Sequence, residues 1–240
     1  MDRLSTIDAD ERDHFGGLAA DWWNPAGSSA MLHKLNPVRL RFVRDAVCTH
    51  WDISLRHRTP LCGKSVLDVG CGAGLMCEPL ARMGATVTGL DAAPENVAAA
   101  VRHAEGQRLK IDYQCKDVAQ FAGKFDLVTS MEVIEHVADP GQFVAALCAR
   151  LAPGGLLILS TPNRTHLSRL AMVELGEGLG FIPKGTHDWD RFVTPDEVTG
   201  HLEANGMRPQ STSGLSFNPA KGFVLSDDLT LNYLIAAARN

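Results

Sequence analysis

The sequence predicts an α/β protein built on a doubly wound, mostly parallel sheet of seven strands. Three observations lead there. From Ser65 onward, short apolar runs alternate with segments of helical periodicity. Three glycines follow directly on the first of those runs. Hydrophobic residues make up 45% of the 240 positions against 21% charged, enough to bury a sizeable core.

Taken in order, Phe15, Leu18, Ala19, Trp22 and Trp23 form an apolar stripe at helical period, stopped by Asn24-Pro25-Ala26-Gly27. A second stripe, Val38, Phe42, Val43, Ala46 and Val47, follows Asn36-Pro37, with the proline expected in the first turn of a second helix. Val66–Val69 reads as the first strand, followed by the glycine turn and a helix over about 75–83. Thr86–Leu90 is the second strand, followed by an alanine-rich helix to about Glu105. Lys110–Cys115, Asp126–Ser130 and Leu156–Ser160 are further strands, with a helix at Phe143–Leu151 that ends at Ala152-Pro153-Gly154-Gly155. Beyond a long connection at 163–192 come a helix at Pro195–Asn205 and two last strands near 208–217 and 231–237.

Charge and cysteine content narrow the function. Lysine and arginine number 23 against 28 acids, a net charge of −5, so the chain lacks the basic field that nucleic acid requires. No apolar run reaches the ~18–20 residues that span a bilayer, and the first dozen residues are too polar for a secretory signal. The six cysteines contain no C-x-x-C pair, which suits free thiols in a reducing cytoplasm.

The turn Asp68-Val69-Gly70-Cys71-Gly72-Ala73-Gly74 carries the chemistry. Glycine here allows positive φ and close approach of a ligand to bare backbone, at the strand end where open α/β sheets bind ligands. The spacing is not the dinucleotide G-x-G-x-x-G, because Leu75 or Cys77 stands at the third glycine position. An acid two residues before the first glycine disfavours a pyrophosphate and favours a cationic ligand. Asp91, at the end of the second strand, is placed to accept from both hydroxyls of a ribose. An amine, a sulfonium and a ribose together describe S-adenosylmethionine.

At this point the sequence resembles the class I S-adenosylmethionine-dependent methyltransferases, and within them the ubiquinone-biosynthesis O-methyltransferases. The resemblance rests on Trp22-Trp23-Asn24-Pro25, on Leu32-His33-Lys34-Leu35-Asn36-Pro37-Val38-Arg39-Leu40, and on Val66 through Gly74. It continues through Val87-Thr88-Gly89-Leu90-Asp91, Ser130 through Val137, Ser160 through Thr165, and Pro183-Lys184-Gly185-Thr186-His187-Asp188-Trp189. The matches span nearly the whole chain. Two departures, Ala73 for a third consecutive glycine and Pro162 for leucine, remove no functional group. The resemblance implies a Rossmann-like fold in one domain over 1–240: N-terminal helices at 1–60, a cofactor-binding half at 61–162, a lid or membrane-facing insertion at 163–192 and C-terminal strands at 193–240. It implies cofactor contacts at Arg39, Gly70, Gly72, Asp91 and Met131, with Arg39 as either a clamp for the methionyl carboxylate or a solvated helix arginine.

Glu132, Glu135 and His136 follow the fourth strand at i, i+3 and i+4, so one helical turn would present them on one face. A phenol of pKa near 10 is only about 0.1% ionised at pH 7, a penalty of roughly 4 kcal/mol. His136 as a general base could offset this, or Mg²⁺ (or Mn²⁺) held by Glu132, Glu135 and His136, the metal set that the resemblance implies. The expected substrate is a polyprenylated phenol or catechol, methylated at both O-methylation steps, with a ubiquinone-biosynthesis complex as a further partner. Leu167, Leu170, Met172, Val173, Leu175, Leu179, Phe181 and Ile182, with Arg164, Arg169 and Lys184, are either core or an interfacial segment. The location expected is cytoplasmic, with optional peripheral contact at the inner membrane face through 163–186. The alternatives are a methyltransferase for another small molecule, or a non-catalytic binder of cofactor or quinone lipid.

Overall fold

The computed structural model describes residues 6–17, 19–27, 29–170 and 188–239. Two helices, α1 (Ala9–Gly17) and α2 (Ala30–His50), precede β1 (Ser65–Val69). There follow α3 (Cys77–Arg82), β2 (Thr86–Asp91), α4 (Pro94–Gly106), β3 (Ile111–Cys115), β4 (Phe125–Met131), α5 (Pro140–Ala149) and β5 (Leu151–Pro162). The chain closes with the short α6 (His166–Ser168), α7 (Pro195–Ala204), β6 (Met207–Asn218), β7 (Gly222–Ser226) and β8 (Asn232–Arg239). The strands lie in the order β3-β2-β1-β4-β5-β8-β6-β7. The first five are mutually parallel, and β8, β6 and β7 add antiparallel pairs.

The sheet therefore has eight strands among the described residues, where seven were expected. The extra strand, β7, forms a hairpin with β6 through Asn218-Pro219-Ala220-Lys221. Its residues are half-buried throughout, and its apolar run, Phe223-Val224-Leu225, is only three residues long.

Strand residues alternate between two cores, as a two-residue period requires. Leu67 and Val69 pack with Leu157, Leu159, Ile235 and the α5 and α7 residues Phe143, Val144, Leu147, Val198 and Leu202. Val66, Leu127, Leu156, Ile158 and Leu234 pack on the other face with Phe42, Val43 and Val47 of α2 and Leu80 of α3. Helices thus cover both faces, and the strands read as near-continuous apolar runs for that reason.

Two N-terminal expectations change. The stripe from Phe15 to Trp23 is not one helix: α1 ends at Gly17, and only a 3-10 turn at Ala19–Asp21 follows. Gly16-Gly17 costs about 1 kcal/mol per residue in a helix interior, which favours a break there. Ala19, Trp22 and Trp23 still pack as a group, against Ala73 and Ala99; Leu18 lies outside the described residues. The second helix starts at Ala30, so Pro37 lies inside it rather than in its first turn. Two contacts hold the helix on the N-terminal side of the proline: His33 Nε2 meets the Trp22 carbonyl at 2.8 Å, and Asn36 Nδ2 donates to the Leu75 carbonyl at 3.0 Å.

Candidate functional site

All five parallel strands end at the same edge of the sheet, and β1 and β4 are neighbours there although β2 and β3 intervene in sequence. Connections leave β1 and β4 in opposite directions, which opens a crevice at their carboxyl ends. A cavity of about 270 Å³ lies in it, walled by the strand ends, by α2 and by the N-terminal segment. Arg39, Gly70, Asp91, Met131, Glu132 and His136 all line this cavity; Gly72 and Glu135 lie just outside its lining. Among the described residues six carboxylates line it (Asp8, Glu11, Asp68, Asp91, Asp117, Glu132) against three cations (Arg12, Arg39, Lys116), a field that favours a cationic ligand.

The glycine turn forms the floor. Gly70 has φ 71°, and a side chain there would collide with Val133. Gly72 has φ 53° and lies under the Trp22 ring, which leaves no room for a Cβ. Trp23 clamps the same turn: its indole Nε1 donates to the Ala73 carbonyl at 2.9 Å, and its ring stacks on His103 at 3.4 Å. The tryptophan pair thus braces the turn from outside.

Asp91 holds the turn from inside. Its Oδ2 accepts from Gly72 N at 2.8 Å, while Oδ1 accepts from Ala93 N at 2.9 Å and Asn96 Nδ2 at 3.1 Å. Burial raises its pKa, opposed by these donors. Asp68 is buried beneath, accepting from Thr129 Oγ1 at 2.6 Å and Cys77 Sγ at 3.2 Å. Burial pushes the Asp68 carboxyl up to about 6, against those two hydrogen bonds. A raised acid binds its proton more tightly in the folded chain, so its stability contribution is complete below pH ~4 and disappears as pH rises through about 6. Ionised Asp68 therefore costs the fold roughly 3 kcal/mol at neutral pH. Asp68→Asn is expected to raise the melting temperature at pH 7.5 but not at pH 4, and to weaken binding of a cationic ligand; thermal denaturation at both pH values and calorimetry check this.

Arg39 is only 2% exposed, although it stands on a surface helix. Its Nη2 lies 3.2 Å from Glu132 Oε1, and Nε and Nη2 have no hydrogen-bond partner. A buried guanidinium on a cavity wall with donors that lack hydrogen-bond partners among the described residues is unusual, since buried polar groups are as a rule satisfied. The solvated-arginine alternative does not hold.

Glu132, Glu135 and His136 do not share one helical face. Glu132 has φ 57°, the left-handed region that non-glycine residues seldom adopt, and only a single 3-10 turn, Ile134–His136, follows. Glu132 consequently points away from the other two, while Glu135 and His136 stay neighbours with separate hydrogen-bond partners. Glu132 turns toward β5 and β8, accepting from Ser160 Oγ at 2.6 Å and Asn232 Nδ2 at 2.8 Å. Glu135 turns inward and accepts from Thr161 Oγ1 at 2.9 Å; its Oε1 is buried without a hydrogen bond, 3.8 Å from His136 Nε2. His136 Nδ1 lies 3.0 Å from Glu11 Oε2. Burial drives the Glu135 pKa up. Burial pulls the His136 pKa down, but the Glu11 hydrogen bond and the surrounding carboxylates outweigh it, leaving the imidazole above its ordinary value.

The donor types suit a hard divalent ion, and the orphaned Glu135 oxygen beside an imidazole nitrogen is a place for one. Among the described residues, however, no group of three or more His, Cys, Asp or Glu side chains converges as a ready-made ligand set.

The site also holds residues that sequence reasoning passed over. Asp117 and Val118, just past β3, line the cavity, and Asp117 accepts from both Thr6 N at 2.7 Å and Thr6 Oγ1 at 2.8 Å. Their position beyond a parallel strand's carboxyl end was the available signal. The N-terminal residues Thr6 to Arg12, read from the sequence only as a polar start, close one wall together with Phe15. Of the expected insertion, Leu167 and Leu170 are exposed; Met172, Val173, Leu175, Leu179, Phe181, Ile182 and Lys184 lie outside the described residues.

Residues 41–211, more than half of the chain, match the family model described as a methyltransferase domain. The chain is 46% identical over 239 residues to the ubiquinone biosynthesis O-methyltransferase of Methylobacterium nodulans, covering 98% of this chain and 96% of that one. It is 46% identical over 237 residues to the protein of the same name from Rhodopseudomonas palustris, covering 97% and 93%. Among solved structures, magnesium protoporphyrin IX methyltransferase from Synechocystis superposes with a TM-score of 0.67 over 95% of this chain and 98% of that one, at 22% identity. That last likeness is one of fold.

Proposed function

We propose a working mechanism from the premise that this chain belongs to the ubiquinone biosynthesis O-methyltransferases. It is an S-adenosylmethionine-dependent O-methyltransferase acting on polyprenylated phenol and catechol intermediates of ubiquinone synthesis. One chain serves both O-methylation steps. The observation that carries the mechanism is the meeting of the buried Arg39 guanidinium, the acid-backed glycine turn and His136 around one cavity.

When bound, the cofactor supplies a methyl group already activated on sulfonium. Arg39 would hold its methionyl carboxylate, as a buried guanidinium paired among the described residues only with Glu132. Gly70 would let it approach bare backbone, Gly72 packs the turn under Trp22, and Asp91 would accept from the ribose while keeping the turn closed. Met131, on the end of β4, lines the cavity and would border it. His136 accepts the proton of the acceptor hydroxyl, and the cavity walls align the oxygen and exclude water, an effect that can reach about 7–11 kcal/mol.

A second reading is favoured by the orphaned Glu135 oxygen: Glu132, Glu135 and His136 hold Mg²⁺ or Mn²⁺, which would supply Lewis acidity to adjacent catechol oxygens. Contact of residues 163–186 with a membrane surface is supported by exposed Leu167 and Leu170 near Arg169. No helix among the described residues is long and apolar enough to cross a membrane.

Methyl transfer from labelled S-adenosylmethionine to a prenylated catechol, with and without EDTA, tests the mechanism. Turnover is expected with the prenylated acceptor, well above that with an unprenylated competitor. Equal turnover of the two points to a different small-molecule substrate. Loss of turnover in EDTA with intact cofactor binding, restored by Mg²⁺, selects the cation reading; full activity in EDTA leaves His136 acting alone as the base.

A further inference from the structure

We infer that Glu11 is a positioning residue for His136, brought to the site by the N-terminal segment. This rests on the reading that His136 acts at the acceptor hydroxyl, and it holds whether the imidazole takes a proton or binds a cation. Glu11 lies in α1, and its carboxylate is held from two sides. Oε2 meets His136 Nδ1 at 3.0 Å, and Oε1 accepts from Arg191 Nη1 at 3.2 Å. Arg191 also donates to Asp8 Oδ2 at 3.2 Å and to the carbonyl of Val137, the residue after His136, at 3.0 Å. The arginine thus ties α1 to the backbone that carries the imidazole. An isolated bridge between Ile7 and Val137 makes the same connection one turn earlier.

The chemical consequence concerns the tautomer. An ionised carboxylate only accepts, so the neutral ring must place its proton on Nδ1 to bond with Glu11. The lone pair is then on Nε2, the nitrogen 3.8 Å from the buried Glu135 Oε1. Phe15, from the same helix, packs edge-on against the imidazole with centroids 4.9 Å apart, which limits rotation of the ring. One face of α1 therefore sets both the orientation and the reactive nitrogen of His136. A carboxylate behind a working histidine typically accounts for 10–100-fold in activity or metal affinity.

The test uses the full chain. Glu11→Ala is expected to lower kcat 10–100-fold, with S-adenosylhomocysteine affinity by calorimetry within twofold of wild type. Glu11→Gln, whose amide oxygen can still accept from Nδ1, is expected to fall between the two and serves if the alanine variant folds poorly. Nitrogen-15 NMR of the His136 ring, assigned by comparison with His136→Asn, is expected to show the Nδ1-protonated tautomer in wild type and a mixed population in Glu11→Ala. Unchanged kcat in both Glu11 variants, or an unchanged tautomer, overturns the inference. If His136→Ala itself retains full activity, the underlying mechanism fails instead; an inactive His136→Ala beside a fully active Glu11→Ala condemns the role of Glu11 alone.

Discussion

His136→Ala is expected to lower kcat by about 10²- to 10⁴-fold, the range for loss of a positioned acid–base group. The imidazole lines the cavity and is mostly buried, so no solvent base replaces it well. Cofactor affinity should change little, because Arg39, the glycine turn and Asp91 lie on other elements. Initial-rate kinetics and S-adenosylhomocysteine calorimetry on the same preparation check both halves. If His136 acts as a base, its neutral form is the active one, and its pKa is raised above the ordinary histidine value by Glu11 and the nearby acids in spite of burial. Activity should therefore climb as pH rises through and beyond neutrality, and the alanine variant should lose that climb. A flat profile in wild type would remove the proton-acceptor role.

Arg39→Ala carries the second large effect, on both stability and cofactor binding. Removing the guanidinium leaves Glu132 without its ion-pair partner in a site where the arginine is 2% exposed and the glutamate 15%. Breaking a buried pair from one side costs about 3–5 kcal/mol. The lost charge-assisted contact to the cofactor carboxylate adds about 1.5–3 kcal/mol, a drop in affinity of one to two powers of ten. Arg39→Met/Glu132→Gln separates the two: stability should recover, since no uncompensated charge remains, while cofactor affinity should not. Denaturant unfolding and calorimetry on the single and double variants give the cycle. Equal cofactor affinity in Arg39→Ala and wild type would place the carboxylate elsewhere.

Much of this molecule can be read from its residues in order. The parallel strands were legible because both faces of the sheet are covered by helices, so Val66–Val69 and Leu156–Ser160 are apolar except at Asp68 and Ser160. The glycine turn was legible because positive φ at Gly70 and Gly72, with Val133 and Trp22 packed against them, admits no other residue there. β7 was hidden by its half-exposed residues. The single helix expected from Phe15 to Trp23 fails because periodicity cannot weigh two adjacent glycines against an apolar stripe.

The candidate site divides along the same line. By itself the sequence determined which residues stand at the strand ends, since local pattern sets where a strand stops and parallel pairing brings those ends to one edge: Gly70, Asp91, Met131 and the acid–histidine cluster follow from that. Only the tertiary structure decided where their side chains point. The left-handed Glu132 splits an apparent helical face, sending one acid to Arg39, one into the interior and the imidazole to Glu11, 125 residues away. Leaving a buried donor, acceptor or charge without its partner costs about 1–5 kcal/mol, enough to override the local spacing of i, i+3 and i+4, and spacing along the chain carries no information about those partners.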